Sequence, residues 1–177
     1  LTYSLTGDSS NGGFTINAAT GVITVADPSK INFETSGGSY TVTAQASDGA
    51  LSSSQTFTIA VTDVVPSTPV DADAAADSVA EGAAAGTAVG ITASSTDVNG
   101  PGVTYSLTGD SSNGGFTIDA ATGVITVADP SKINYEDSSS HTVTVQASDG
   151  TLTSSQTFSI AINDVAPSAP VDSNSAT

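Results

Sequence analysis

The sequence contains one long segment twice, almost without change. The segment that begins at Thr2 recurs at Thr104, an offset of 102 residues. Over the first 33 positions the copies differ at two pairs, Asn17/Asp119 and Phe33/Tyr135. The second copy then loses one residue, and the match continues to the proline-containing stretches at 66–69 and 167–170. A period of about 100 residues is the size of one β-sandwich module, so the sequence predicts a tandem array.

The proline-containing stretches delimit the predicted modules. We expect a partial module at residues 1–69, which lacks the counterpart of 70–102 and so the first strands. A complete module follows at 70–170, and 171–177 begins a further repeat. Adjacent copies are typical of spacers and multivalent binders, because an enzyme seldom needs one active site twice in a row.

Apolar and polar residues alternate in short runs throughout the complete module. The predicted strands lie at 78–80, 87–94, 103–107, 116–118, 123–127, 141–148 and 156–164. The turn "AATG" ends at Gly123, where a positive φ is expected. About seven strands with frequent turn signals indicate an all-β fold of antiparallel sandwich modules. The Tyr and Phe residues on these strands are predicted to lie in the core.

Composition excludes several classes of partner. Lys and Arg total 2 against 18 Asp and Glu, a formal net charge of −16. A nucleic-acid backbone or an anionic membrane surface requires a basic face, so neither is an expected partner. The sequence has no Cys, which excludes disulfides, thiolate nucleophiles and Cys-ligated metals. No apolar run approaches the length of a membrane span, so no membrane insertion is expected in this segment.

The sequence also argues against an enzyme. His141 is the only histidine, and the first copy has Tyr40 in its place. A catalytic base is not expected to be replaced by tyrosine in a nearly identical copy. The chain has no G-x-S-x-G motif.

Acidic residues fall into two groups. Those next to Ser, Gly or Pro, such as Asp8, Asp27 and their repeat equivalents Asp110 and Asp129, are interpreted as turn formers. A second group lies at predicted strand ends and in the linkers. Its members are Glu34, Asp48, Asp63, Glu81, Asp97 with Asn99, Glu136, Asp149 and Asp164. Oxygen ligands gathered from several loops suit Ca²⁺, which takes six to eight oxygens.

Several motifs occur in a fixed order along the complete module. They are "SVAEG" (78–82), "STDVNG" (95–100), "VTYSL" (103–107), "FTIDAATGVITV" (116–127), "INYE" (133–136), "VQASDG" (145–150) and "AINDVAP" (161–167). As a set they resemble the tandem cadherin-like repeats of large bacterial surface adhesins of the RTX and biofilm type. The resemblance covers nearly the whole chain and implies Greek-key sandwich modules with calcium bound at each junction.

The resemblance also implies which residues bind the metal. The first junction would use Glu34, Asp63 and the Thr62 carbonyl, together with Asp97, Asn99 and Asp149. The next junction would use Glu81, Glu136, Asp164 and the Asn163 carbonyl, with a module beyond this chain.

The sequence departs from the family pattern at these junctions. The family's Asp-x-Glu is Asn32-Phe33-Glu34 here, and Ala60 and Val64 replace two linker ligands. About one or two ions are therefore expected at the first junction, fewer than is typical of the family. Asp71, Asp73 and Asp77 follow the linker and are candidate substitutes.

The resemblance implies a calcium-stabilised, extracellular module on a bacterial cell surface. It would act as an extender and in homophilic cell adhesion, with neighbouring repeats and other copies as partners. The alternative is a self-assembling subunit of an extracellular filament or sheath, completed by strands from neighbouring chains. The missing first strands of the partial module would leave sheet edges for such pairing.

Overall fold

The computed structural model describes residues 1–98, 100 and 102–171. The described chain forms two compact units. The first unit comprises Leu1–Thr68, Ser95–Thr104 and Ala147–Ser154. The second comprises Pro69–Ser94, Tyr105–Gln146 and the described residues from Ser155 onward. Asn99 and residues 172–177, most of the predicted further repeat, lie outside the described residues.

Apart from a 3-10 turn at Pro28–Lys30, the first unit contains five complete strands and one α-helical turn. These are β1 (Thr2–Asp8), β2 (Phe14–Ile16), β3 (Ile23–Val25), α1 (Phe33–Ser36), β4 (Ser39–Ser47) and β5 (Ser52–Ala60). Strands β1, β4 and β5 form an antiparallel sheet in that order, and β2 pairs with β3 as a ribbon. Phe14, Tyr40 and Val42 form the buried core, because alternate residues of a strand point to the same face.

The second unit is built mainly from eight strands. They are β6 (Val70–Asp71), β7 (Ser78–Ala80), β8 (Ala88–Ser94), β9 (Thr104–Asp110), β10 (Phe116–Ile118), β11 (Val124–Val127), β12 (Ser140–Ser148) and β13 (Thr153–Asn163). One sheet has the order β10-β11-β8-β6 and the other β7-β13-β12-β9. The predicted all-β sandwich is confirmed. The pairing of β7 with β13 is parallel, whereas the strand pattern indicated an antiparallel sandwich.

The apolar residues that alternate along the predicted strands form the core of the second unit. Val89, Ile91 and Ala93 of β8 are buried, as are Val143 and Val145 of β12. The unit therefore has apolar side chains from both of its sheets in its interior, which is the main source of stability in a sandwich.

Equivalent residues of the two copies differ in burial because β8 has no counterpart among the described residues of the first unit. In the second unit β8 pairs with β11, and Val127 is 1% exposed. Its equivalent Val25 on β3 is 54% exposed.

His141 and Tyr40 occupy equivalent positions and pack alike, but only the tyrosine is fully hydrogen-bonded. The Tyr40 ring meets Phe14 edge-on at 6.0 Å, and His141 meets Phe116 at 6.1 Å. The Tyr40 hydroxyl accepts from the Asn32 N–H at 3.1 Å and donates to the Asn32 carbonyl at 3.2 Å. Nε2 of His141 is buried without a hydrogen-bond partner among the described residues.

We therefore expect His141→Tyr to raise the free energy of unfolding of the second unit by about 1 kcal/mol, since it removes an unsatisfied buried nitrogen. The reciprocal Tyr40→His should lower the stability of the first unit, because it removes both hydrogen bonds between the Tyr40 hydroxyl and the Asn32 backbone. Hydrogen exchange of the amides in each unit measures both changes. A loss of stability in both variants would contradict the argument.

Candidate metal centre

Three carboxylates of the first unit come together from distant parts of the chain. Glu34, Asp63 and Asp149 each offer one oxygen, and these oxygens lie within 4.8 Å of one another. We call them the first carboxylate cluster. Glu34 lies on α1, Asp63 follows β5, and Asp149 lies in the turn between β12 and β13. All three are among the predicted ligands of the first junction.

The cap residues of α1 fix the position of Glu34. The Asn32 side chain accepts a hydrogen bond from the Thr35 N–H at 2.6 Å, the usual N-cap interaction. Gly37 ends the turn in the left-handed conformation with φ +66°. Because both ends of this single turn are capped, Glu34 lies at a defined place beside the end of β5.

Oxygen atoms of this region are buried without hydrogen-bond partners among the described residues. They are Glu34 Oε2, Asp63 Oδ1, Asp149 Oδ2 and both carboxylate oxygens of Asp97. A buried, ionised carboxylate without a partner is costly, and neighbouring carboxylates repel each other. The two lysines offer no compensation here, since their ammonium groups donate to the carbonyls of Asn11 and Asn113. A hard cation with oxygen ligands would satisfy these atoms, so the residues fit Ca²⁺.

One carboxylate oxygen of Asp149 accepts backbone hydrogen bonds within its turn, and the other has no hydrogen-bond partner among the described residues. Its Oδ1 accepts from the N–H groups of Thr151 and Leu152, both at 2.7 Å. The residue is only 7% exposed. Burial alone raises the pKa of Asp149, but the hydrogen bonds from Thr151 and Leu152 outweigh it and hold the pKa below its ordinary value. Asp149 is therefore an anion suited to bind a cation through its second oxygen.

Hydrogen bonds to Ser67 fix the loop that carries Asp97. The Ser67 carbonyl accepts from the hydroxyls of Ser95 and Ser154. The Ser67 hydroxyl accepts from the Thr96 N–H at 2.9 Å, and the Ser67 N–H donates to the Thr96 carbonyl at 2.8 Å. This network holds Asp97 next to the linker, although Asp97 is not one of the three residues whose oxygens meet within 4.8 Å.

An apolar cavity of about 240 Å³ adjoins the first carboxylate cluster. Glu34, Thr62 and Asp63 line it, together with Val25, Pro28, Ile31, Phe33, Val61, Val64 and Val98. Apolar walls reduce the local dielectric, which strengthens any charge interaction at the carboxylates. Thr62, whose carbonyl is a predicted ligand, lies at this cavity.

Glu81, Glu136 and Asp164 form a second carboxylate cluster in the second unit, with oxygens within 4.8 Å of one another. Glu81 Oε1 accepts from the Val165 N–H at 2.7 Å, and Oε2 accepts from the Tyr135 N–H at 3.0 Å. The hydrogen bonds from Val165 and then Tyr135 lower the pKa of Glu81. Glu136 and Asp164 are exposed, unlike the carboxylates of the first cluster.

Two other predictions have a clear structural outcome. The Asn163 carbonyl, a predicted ligand, accepts the Glu81 N–H at 3.0 Å and so belongs to the backbone pairing of the second unit. Asp71, Asp73 and Asp77, the candidate substitutes, are not in either cluster. Asp71 Oδ1 accepts from the N–H groups of Asp73 and Thr92, and thus holds its own segment against β8.

Comparison with known proteins identifies the family. A cadherin domain family model matches residues 1–62 and 77–163. The chain therefore belongs to the cadherin domain family, whose members are extracellular adhesion modules and not enzymes. Among the described residues, no helix has the length and apolar character needed to cross a bilayer.

The chain is also similar to individual proteins and solved structures. Human Protocadherin Fat 1 is 28% identical over 181 residues, a match that covers 97% of this chain and 4% of the relative. Extracellular cadherin domains 3–6 of Protocadherin Gamma B2 superpose with a TM-score of 0.50 at 19% identity, covering 93% of this chain and 43% of theirs. Mouse Cadherin-23 EC22-24 has a TM-score of 0.48 at 28% identity, and the match covers 93% of this chain and 53% of the mouse chain. The chain thus spans only a part of each relative.

Sequence reasoning missed the residues that hold the ligands in place. Ser67 and Thr96 lie in Ser- and Thr-rich stretches without a distinguishing pattern. Thr151 did carry a signal, because it is one of the few differences between the copies and replaces Ala50 of the first.

Proposed function

We propose that this chain is a calcium-stabilised extracellular adhesion repeat in which a bound cation links successive modules. The observation that carries the proposal is the set of buried, unpartnered carboxylate oxygens around the first cluster. Removing these charges from water is unfavourable unless a cation offsets it, so the apo site should be strained and the loaded site stable.

The proposed ligands are those that the sequence analysis assigns. Glu34, Asp63, Asp97, Asn99, Asp149 and the Thr62 carbonyl would hold about one or two ions at the first junction. Glu81, Glu136, Asp164 and the Asn163 carbonyl would form half of the next one. This assignment goes with the proposed division into modules at 1–69 and 70–170, with a further repeat from 171. The exposure of the second cluster supports a half-site that another module completes.

We further propose that the parent protein is a bacterial surface adhesin in which such modules extend a distal binding region and contact other copies. The nearly identical adjacent copies support this setting. The human relative supports the module type alone. Light scattering with and without Ca²⁺ separates this role from filament assembly. An extender keeps its monomer mass, whereas a self-assembling subunit gains mass with concentration.

We expect Ca²⁺ to raise the melting temperature of the chain. Extracellular modules bind calcium at roughly 10⁻⁴–10⁻³ M, and a tenfold excess over Kd contributes about 1.4 kcal/mol for one site. Mg²⁺ should stabilise less, because it sheds water reluctantly and requires a tighter octahedron. Calorimetric melts in chelator, in millimolar Ca²⁺ and in millimolar Mg²⁺ measure the effect. Identical curves in all three would refute the metal site.

A further inference from the structure

The hydroxyl of Thr151 contacts two carboxylates of the first cluster. Its Oγ1 hydrogen-bonds to Asp63 Oδ2 and lies 3.0 Å from Asp149 Oδ1. The other oxygen of each carboxylate, Asp63 Oδ1 and Asp149 Oδ2, is buried without a hydrogen-bond partner among the described residues. The Thr151 hydroxyl thus lies between the two carboxylates. It contacts Asp63 Oδ2 and Asp149 Oδ1, and the unpartnered oxygens remain available to a cation.

The turn around Thr151 does not need this hydroxyl. The first copy has the same "ASDG" turn with Ala50 in the equivalent position. There Asp48 Oδ1 accepts from the N–H groups of Ala50 and Leu51 at 2.9 and 2.8 Å. These bonds match those of Asp149 with Thr151 and Leu152. Since alanine supports the same turn, the threonine hydroxyl is available for a different purpose.

The local backbone fixes the position of Asp63 less than it fixes the positions of Glu34 and Asp149. Glu34 lies on a capped helical turn, and Asp149 is fixed by two backbone N–H groups. Asp63 follows β5 in a stretch without regular structure. Within the described part of the chain, Thr151 is the hydrogen-bond donor to the Asp63 carboxylate. Without it, repulsion from the other acids would favour orientations of Asp63 that point away from them.

We infer that Thr151 is a positioning residue for calcium at the first carboxylate cluster, which holds Asp63 beside Asp149 so that both can bind one ion. The inference rests on the proposed function. Groups that orient metal ligands without binding the metal typically change affinity by 10–100-fold when removed. Thr151→Ala should therefore weaken Ca²⁺ binding at this cluster by roughly tenfold, because one anchor of one ligand is lost. Thr151→Ser, which keeps the hydroxyl, should restore it.

An amide NMR titration of the full chain with Ca²⁺ measures each cluster separately. The N–H groups of Thr151 and Leu152 bond to Asp149 and report on the first cluster. Those of Tyr135 and Val165 bond to Glu81 and report on the second. In Thr151→Ala, the Ca²⁺ concentration at the titration midpoint should rise for the first pair of signals and stay unchanged for the second pair. Melting curves in chelator should match the wild type, as the Ala50 turn indicates.

Other outcomes would contradict the positioning role of Thr151, its expected stability in chelator, or the proposed function. Equal Ca²⁺ affinity at the first cluster in wild type and Thr151→Ala would overturn the positioning role, as would a Thr151→Ser variant that binds as weakly as Thr151→Ala. If Thr151→Ala were less stable than the wild type in chelator by as much as in Ca²⁺, Thr151 would be a structural residue of the turn. If the wild type itself shows no Ca²⁺ response at Thr151 and Leu152, the proposed function fails first.

Discussion

Asp149→Asn is expected to weaken calcium binding at the first carboxylate cluster by about one to two orders of magnitude, because ligand charge sets affinity at such sites. The substitution removes the charge and leaves the turn. An asparagine keeps an Oδ1 that can accept the N–H groups of Thr151 and Leu152, which Asp149 now accepts at 2.7 Å each. In chelator the variant should be at least as stable as the wild type, since it relieves repulsion among the three acids.

The first copy supplies the matched control. Asp48→Asn changes the same residue of the same turn, with the equivalent hydrogen bonds to Ala50 and Leu51. Asp48 is not in either carboxylate cluster, so this variant should bind calcium as the wild type does. Calorimetric Ca²⁺ titrations of both variants measure the contrast. Equal losses of affinity would mean that Asp149 acts only through its turn, and the proposed ligand set would be wrong.

Much of the fold follows from the sequence because alternation is a local property. The predicted strand 116–118 matches β10, and 87–94 and 141–148 match β8 and β12 within one residue at each end. Strand β6 has two residues and α1 has four, so neither is long enough to show a period. The parallel pairing of β7 with β13 joins Val79 to Ile162. No local pattern in a three-residue strand fixes a partner so distant.

The candidate site was predictable to the extent that strand ends determine it. Glu34 lies on α1, Asp63 follows β5 and Asp149 follows β12, and one oxygen of each lies within 4.8 Å of the others. The same reasoning assigned Glu81, Glu136 and Asp164 to one junction, and their oxygens also lie within 4.8 Å of one another. The positions of hydroxyls were not predictable in this way. Thr151 meets Asp63 across 88 residues of sequence, and its contact depends on the placement of both turns.

Gly123 and Gly21 are equivalent glycines of the "AATG" turn with nearly the same backbone, φ +73° and +75°. The positive φ predicted at Gly123 is thereby confirmed. The surroundings differ. A Cβ at Gly123 would overlap the carbonyl oxygen of Ala93, because β8 lies against this turn and the Ala93 N–H donates to the Gly123 carbonyl at 2.9 Å. For a Cβ at Gly21 the nearest atoms would be those of the Tyr3 ring at 3.3 Å, and that side chain can move.

We therefore expect Gly123→Ala to lower the free energy of unfolding of the second unit by about 3 kcal/mol or more, and Gly21→Ala that of the first unit by about 1 kcal/mol. A left-handed alanine costs about 1–2 kcal/mol, and overlap with a fixed backbone adds a further 1–3 kcal/mol that a movable ring avoids. Chemical denaturation gives the totals, and hydrogen exchange of β8 and β3 assigns each loss to its unit. Calcium affinity should stay unchanged in Gly21→Ala, because the turn contributes no ligand to the first cluster. Equal losses from the two substitutions would show that backbone conformation alone accounts for both and that β8 does not press on the Gly123 turn.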